Sequence, residues 1–383
     1  MQVIGGPFVH VVYAIPSDGA DKSADFAQRI NDDVDQITAW WTGQDATRAP
    51  RFDVTPFSCG NQVDLTLVRL PQAGSQLAPQ QGRARSLTTG VMTAGLGSPF
   101  GKYLVYYDGP ADQPNLCGEG GGAEDAGPDY AFVYTGACTD VPTAAIAAHE
   151  LLHALSALPQ GAPHPCSSSD DGHPCDSEQD VLYPFASGDP LSSLILDVGR
   201  DDYYGHSGNW FDIQDSIWLT HLGDQAPLSI AVSGGGKVVS LEPSPDCTAT
   251  CSVDWNRGTT VQLEGIPTAG KRFVRWSGGC TGTGDCTVTL GGPTSVGAFF
   301  AQARFRLSVG VTGKGIVRST PRGIACTARC GFSFTSYRAV RLSATAAKGW
   351  HFVRWTGSCT GKRPACSVPM TKAASARAVF VRR

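Results

Sequence analysis

The five residues His149-Glu150-Leu151-Leu152-His153 carry the strongest chemical signal in the chain. Side chains four apart on a helix share a face. The two imidazoles can therefore grip one zinc ion, while Glu150 stands beside it to take a proton from a bound water and hand it to a leaving amine. Hydrolysis of a peptide bond, in a peptide or protein substrate, is the reaction this spacing serves. A catalytic zinc needs a third protein ligand with one position left open, and His164 and His173 compete for that place. Cys166 and Cys175 bracket the segment and are expected to close a short loop that holds either histidine near the metal. Asp176 and Asp180 are candidates for orienting the imidazoles through their free N–H groups, with a plain loop role equally open. Tyr183 is read as a tyrosine packed under the site or as a donor beside the metal.

The elements that must position these residues follow from hydrophobic pattern and turn signals. A long helix is expected over residues 142–158, with Asp140 supplying a capping carboxylate, Pro142 at an early helical position and Pro159 to Gly161 marking the exit. Before it, a strand at 8–13 leads into a helix at 22–41 and then into strands near 63–70, 103–107 and 130–134, an α/β order. Residues 209–222 read as an amphipathic helix that closes the domain, with His221 at the surface. The glycine-rich, acidic stretch 118–125 lacks the spacing of an EF-hand, so calcium there is unsupported and a surface loop is expected. The run 201–206 is also read as an exposed loop, with the lining of a substrate cleft as the alternative. Cys117 and Cys138 are expected to pair, leaving Cys59 as the odd thiol.

The sequence His-Glu-Leu-Leu-His-Ala-Leu-Ser at 149–156, followed by Asp180-Val-Leu-Tyr-Pro184, resembles the metzincin metallopeptidases, especially secreted bacterial members. The resemblance implies a zincin-like α/β catalytic domain, Zn2+ as cofactor, His149 and His153 as ligands and Glu150 as general base. In that clan a Gly ends the zinc helix, a third His follows three residues later, and a Met-turn underlies the metal. Here Ser156, Pro159 and Leu182 stand at those places; Leu for Met is a mild change in an apolar floor. Relative to the clan's spacing, His164 as third ligand requires the shorter insertion and is the first choice. Counting back from Leu182 keeps His173 as the alternative, close to the matrixin arrangement.

The rest of the chain repeats itself. Cys247, Cys251, Phe273, Trp276 and Cys280 recur as Cys326, Cys330, Phe352, Trp355 and Cys359, with Cys286 and Cys366 following. Short alternating runs between Gly and Pro indicate strands, and modules this small need their cysteines as bridges. The pattern of Gly-x-Gly, two cysteines, Gly-x-x-Phe-x-x-Trp-x-Gly, two more cysteines and a closing Ala-x-Phe resembles the divergent internalin-type B-repeat of bacterial surface and secreted proteins. Charge separates the parts: residues 1–225 hold 9 Lys and Arg against 29 Asp and Glu, residues 227–303 are balanced, and residues 304–383 hold 16 basic residues and no acidic one.

Taken together, the chain is expected to be an α/β zincin-like catalytic domain, residues 1–225, followed by two small all-β disulfide-stabilised repeat domains, 227–303 and 304–383. No run approaches the about 18 to 20 apolar residues of a membrane span. Ten of the 13 cysteines fall in pairs spaced by nine residues or fewer, which favours a secreted or cell-surface protein whose signal peptide has been removed. The basic repeat points to an anionic cell-surface polymer or glycan as partner, with nucleic acid not favoured. The rival reading is a surface adhesin whose front domain is a degenerate peptidase.

Overall fold

The computed structural model describes residues 5–57, 60–121, 128–157, 161–167 and 170–383. Cys59, Pro159 and the acidic end of the glycine-rich stretch, Glu124 and Asp125, lie outside the described residues. The chain divides into two compact units, Met1–Ala226 with Asp254–Thr259, and Pro227–Val253 with Thr260–Arg383. The second unit holds residues of both repeats, and Asp254–Thr259 of the first repeat groups with the first unit.

In the first unit four parallel strands lie in the order Leu65–Arg69, Phe8–Ile15, Gly101–Tyr107, Asp129–Tyr134, and Gly118–Gly121 joins the last of them antiparallel. Strand residues alternate between two cores, as a period of two requires. Val9, Val11, Tyr13, Leu104, Tyr106, Ala131 and Val133 face the helices Ser23–Gln44 and Thr143–Ala154. Val12, Ala14, Tyr103, Val105, Tyr107, Tyr130 and Phe132 face the helix Arg83–Thr93 through Leu87 and Val91. A sheet covered on both faces is the α/β class, and its strands read as the near-continuous apolar runs seen in the sequence.

Three local expectations are corrected. Residues 209–222 form no α-helix, only the 3-10 turn Ile213–Asp215 and the strand Leu219–His221, which pairs with Arg48–Pro50. Asp212 is the reason: its carboxylate accepts backbone N–H bonds from Gly205, His206 and Gln214 and ties the chain into a turn. The run 201–206 is not an exposed loop, because Asp202, Tyr203 and Tyr204 are fully buried and the Asp197 carboxylate gathers the N–H groups of all three. Finally, Gly118–Gly121 is strand rather than loop.

The second unit is all β. In the second repeat one sheet has the order Arg329–Thr335, Arg304–Thr312, Ala374–Arg382, Trp350–Gly357, and the other the order Ala325–Cys326, Gly315–Thr320, Ala339–Ala346, Ala365–Pro369. Leu307, Val309, Val317, Leu342, Trp355, Ala378 and Phe380 fill the space between. The Gly-x-Gly of the repeat is a matter of close approach: a Cβ at Gly313 would meet the Phe380 carbonyl oxygen at 2.2 Å, and one at Gly315 would meet the Phe380 ring at 2.5 Å. Gly234, Gly236 and Phe300 repeat the arrangement in the first copy. The cysteines pair as 247–251, 280–286, 326–330 and 359–366. Among the described residues no helix is long and apolar enough to cross a membrane.

Candidate metal and catalytic site

The helix Thr143–Ala154 is built to be buried. Ala144, Ala147, Ala148, Leu151, Leu152 and Ala154 are all at most 1% exposed, wedged between the sheet and the helix Ser23–Gln44. Small alanines let the backbone come close and favour the helix on their own account. Its first residue follows Pro142, and Asp140 makes no capping bond, contrary to expectation. Ser156 ends the helix at φ +67°, the left-handed backbone that glycine adopts most easily.

His149 and His153, both half-buried, leave this helix one turn apart. The hairpin of Pro165–Ser167 and Asp170–Pro174, with Cys166 and Cys175 bridged, delivers His173 to them. The Nε2 of His153 stands 3.2 Å from that of His149 and 3.2 Å from that of His173. His149 Nδ1 lies 2.8 Å from the Val181 carbonyl oxygen. A carbonyl only accepts, so the ring proton is at Nδ1 and the Nε2 lone pair faces its neighbours. Burial, with His149 and His173 beside it, holds the His153 pKa well below the usual histidine range, which keeps the ring in the neutral form that ligates metals.

With all three rings neutral and their Nε2 unprotonated, the three lone pairs would repel, and a cation between them would remove that repulsion. Tetrahedral zinc with bonds of about 2.0–2.1 Å sets its nitrogen ligands about 3.3 Å apart, so the spacing fits that ion. Among the described residues, His149, His153 and His173 are one of two groups of three or more His, Cys, Asp or Glu whose ligand atoms all come within 4.8 Å of one another.

His164, the first choice from spacing, is not brought to this pair. Its backbone N–H donates to Asp202 at 3.0 Å and its ring Nδ1 lies 3.1 Å from the other oxygen of the same carboxylate. Partial burial pulls its pKa down, but the bond and charge of Asp202, with Asp201 and Asp176, outweigh that and raise it above the ordinary value. Asp176 belongs to this second group, His164, Asp176, Asp201 and Asp202. Asp180 does not orient an imidazole either. It is 2% exposed and accepts from the N–H groups of Leu182 and Val198 and the hydroxyl of Tyr203. Burial nevertheless pushes its pKa up to about 6. What it fixes is the turn at 180–183, and so the Val181 carbonyl that holds His149. Leu182 is fully buried in the core that also holds the helix Thr143–Ala154, and Tyr183 is half-buried in the cleft wall.

Glu150 is 6% exposed on the same helix. Burial, and then the nearby Glu119 carboxylate, raise its pKa well above the carboxylate range. Glu119 itself accepts a hydrogen bond from the Tyr134 hydroxyl. The strand Gly118–Gly121 approaches so closely that a Cβ at Gly118 would meet the Phe132 carbonyl oxygen at 2.4 Å and Glu150 Oε1 at 2.6 Å, and one at Gly120 would meet the Glu150 carbonyl oxygen at 2.6 Å. Glu119 and these glycines escaped the sequence reading; the alternation Gly-Glu-Gly was the available signal, masked by the glycine run after it. The cleft over the site has a volume of about 920 Å³. Glu119, Asp140, Glu178 and Asp189 line it, and none of the described lining residues is Lys or Arg.

Residues 237–304 and 322–383 match the family model described as the divergent InlB B-repeat domain. No curated protein matches the chain. Among solved structures the chain is similar to catalytically inactive OgpA from Akkermansia muciniphila in complex with an O-glycopeptide (glycodrosocin) substrate, at 10% identity and a TM-score of 0.32, covering 100% of this chain and 97% of that one. Wild-type OgpA gives 9% identity, coverage of 99% and 96%, and a TM-score of 0.33. The major pilin T-13 of Streptococcus pyogenes is similar over 42% of this chain and 98% of its own, at 9% identity and a TM-score of 0.20. Scores this low carry no inference about fold or activity.

Proposed function

We propose that the first unit is a zincin-like, metzincin-related zinc endopeptidase of a secreted or cell-surface protein, and that His149, His153 and His173 hold its metal. The observation that carries the reading is the convergence of three imidazole nitrogens, 3.2 Å apart in two pairs, beside a glutamate on the same buried helix. Zinc so held would lower the pKa of a water and polarise the scissile carbonyl. Glu150 then takes the proton of the attacking water at its carboxylate and delivers it to the departing nitrogen. The Val181 carbonyl fixes the His149 tautomer, and the Cys166–Cys175 bridge holds His173 against the helix. Because the cleft wall is acidic and without cations among its described residues, peptides with basic side chains near the scissile bond are the favoured substrates.

The test combines metal analysis of the purified chain with cleavage of a mixed peptide library. Glu150→Gln should retain one zinc per chain and lose about 10²- to 10⁴-fold in turnover. Full activity in that variant would overturn the mechanism. Zinc binding with no cleavage of any peptide would favour the adhesin reading instead.

A further inference from the structure

We propose that the outer face of the four-stranded sheet in the second repeat is a docking surface for an acidic polysaccharide. Alternation along Arg304–Thr312 sends Leu307 and Val309 into the core and leaves Arg304 and Arg306 outside. In the same way Ala376, Ala378 and Phe380 point in and Arg377 points out. Arg329 and Arg354 join them from the two flanking strands, and all five arginines are exposed. The register aligns them: Arg329 is opposite Gly310, which is opposite Arg377, which is opposite Thr356, while Arg354 faces Val379.

Two glycines make room for this array. A Cβ at Gly331 would meet Arg306 Nη2 at 2.9 Å and Cζ at 3.0 Å, so the guanidinium lies across the neighbouring strand. Arg377 Nε comes within 3.5 Å of the corresponding point at Gly310. The module holds no Asp or Glu with which these cations could pair.

The first repeat shows that the fold does not require them. Pro227, Thr250 and Gly297 stand there in place of Arg306, Arg329 and Arg377, and Ser252 and Ala231 replace Gly331 and Gly310. The shared arginine, Arg275, lies over the Phe299 ring at 4.1 Å. Guanidinium forks match carboxylate and sulfate groups bidentately. The hydroxyls of Ser308, Ser333, Ser375 and Thr356 between them suit a hydroxylated chain. None of the outward positions is Phe, Tyr or Trp, the platforms on which single-stranded nucleic acid stacks.

The proposal is independent of the peptidase reading, and its test uses the full chain. Binding to heparin and to polygalacturonate, as sulfated and carboxylated probes, is measured across a salt series beside duplex DNA and anionic phospholipid vesicles. The triple variant R306E/R329E/R377E should weaken polysaccharide binding by about thirtyfold or more at low salt and flatten its salt dependence. The variant R318E/R341E/K348E carries the same charge change on the other sheet and its turn, and should stay within about threefold of the parent. Should the first variant fail to fold by circular dichroism, R306Q/R329Q/R377Q introduces no acids and should still lose about tenfold. Equal losses in the two reversal variants, absence of polysaccharide binding by the parent, or tighter binding to DNA or vesicles would each overturn the proposal.

Discussion

The histidine helix of the first unit and the arginine sheet of the second repeat both present polar groups, on scaffolds under opposite constraint. Nine of the 12 residues of Thr143–Ala154 are buried, Glu150 among them, so each functional atom is fixed by packing on several sides. On the sheet the inward residues build the fold and the outward ones are free of it, which is why the two repeats share their cysteines, their Gly-x-Gly and the inward aromatics Phe273, Trp276 and Phe300 (Phe352, Trp355 and Phe380) and differ by sixteen units of charge. On the helix, function depends on geometry. On the sheet it depends on how much charge is displayed and where.

The largest separation is expected from removing a ligand. His173→Ala should lower zinc affinity by more than about a hundredfold, since even partners outside the ligand sphere cost 10- to 100-fold. His164→Ala, which breaks the contacts with Asp202 and Asp201, should leave zinc affinity within about threefold of the parent. Competition with a chelator of known affinity at fixed pH reads both. Equal losses, or a larger loss from His164→Ala, would return the third ligand to the position that spacing favoured.

That choice shows where the sequence was legible. The helix, its two histidines and the alternating strands are local patterns, and local patterns survive without coordinates. The disulfides Cys117–Cys138 and Cys166–Cys175 were likewise readable from spacing and context. Which histidine stands beside the helix pair was not, because the direction of a hairpin depends on what its loop meets, and here Asp202 takes His164. Asp202 is buried where an exposed loop is expected: its burial follows from Asp197 collecting four backbone N–H groups, an arrangement no periodicity announces. Glu119 was hidden for a similar reason, since a strand rich in glycine has no hydrophobic alternation to betray it.

A second contrast lies in pH. Asp33, buried beside Tyr106 in the first unit, is raised by burial to a pKa of about 6 from 3.8. A raised folded-state pKa favours the neutral form, so its contribution is fully present below about pH 4 and is lost as pH rises through about 6. Asp33→Asn keeps the neutral form at every pH. It should match the parent near pH 4 and be more stable by about 2–3 kcal/mol at pH 7, read from denaturant unfolding of the first unit. The second repeat, with no Asp or Glu side chain, offers no such carboxylate. A parent and variant that differ equally at both pH values would remove Asp33 as the cause.

The smallest effect makes the sharpest comparison, because it is the same methyl group added in both places. At Gly118 the new Cβ meets a backbone carbonyl, Phe132 O at 2.4 Å, and Glu150 Oε1 at 2.6 Å. Backbone cannot swing away, so Gly118→Ala must displace the strand or the glutamate, with a stability loss of about 1–3 kcal/mol and a fall in turnover of about tenfold or more. At Gly331 the new Cβ meets only the far end of Arg306, at 2.9 Å. That side chain has other rotamers open to solvent, so Gly331→Ala should leave unfolding unchanged within about 0.5 kcal/mol. Its effect on polysaccharide affinity should be about two- to threefold, since one guanidinium of five changes its reach and none is lost. A tenfold loss there would mean that the arginine face works by fixed geometry after all, as the helix does, and would narrow its partner from a class of polyanions to one with a matching repeat.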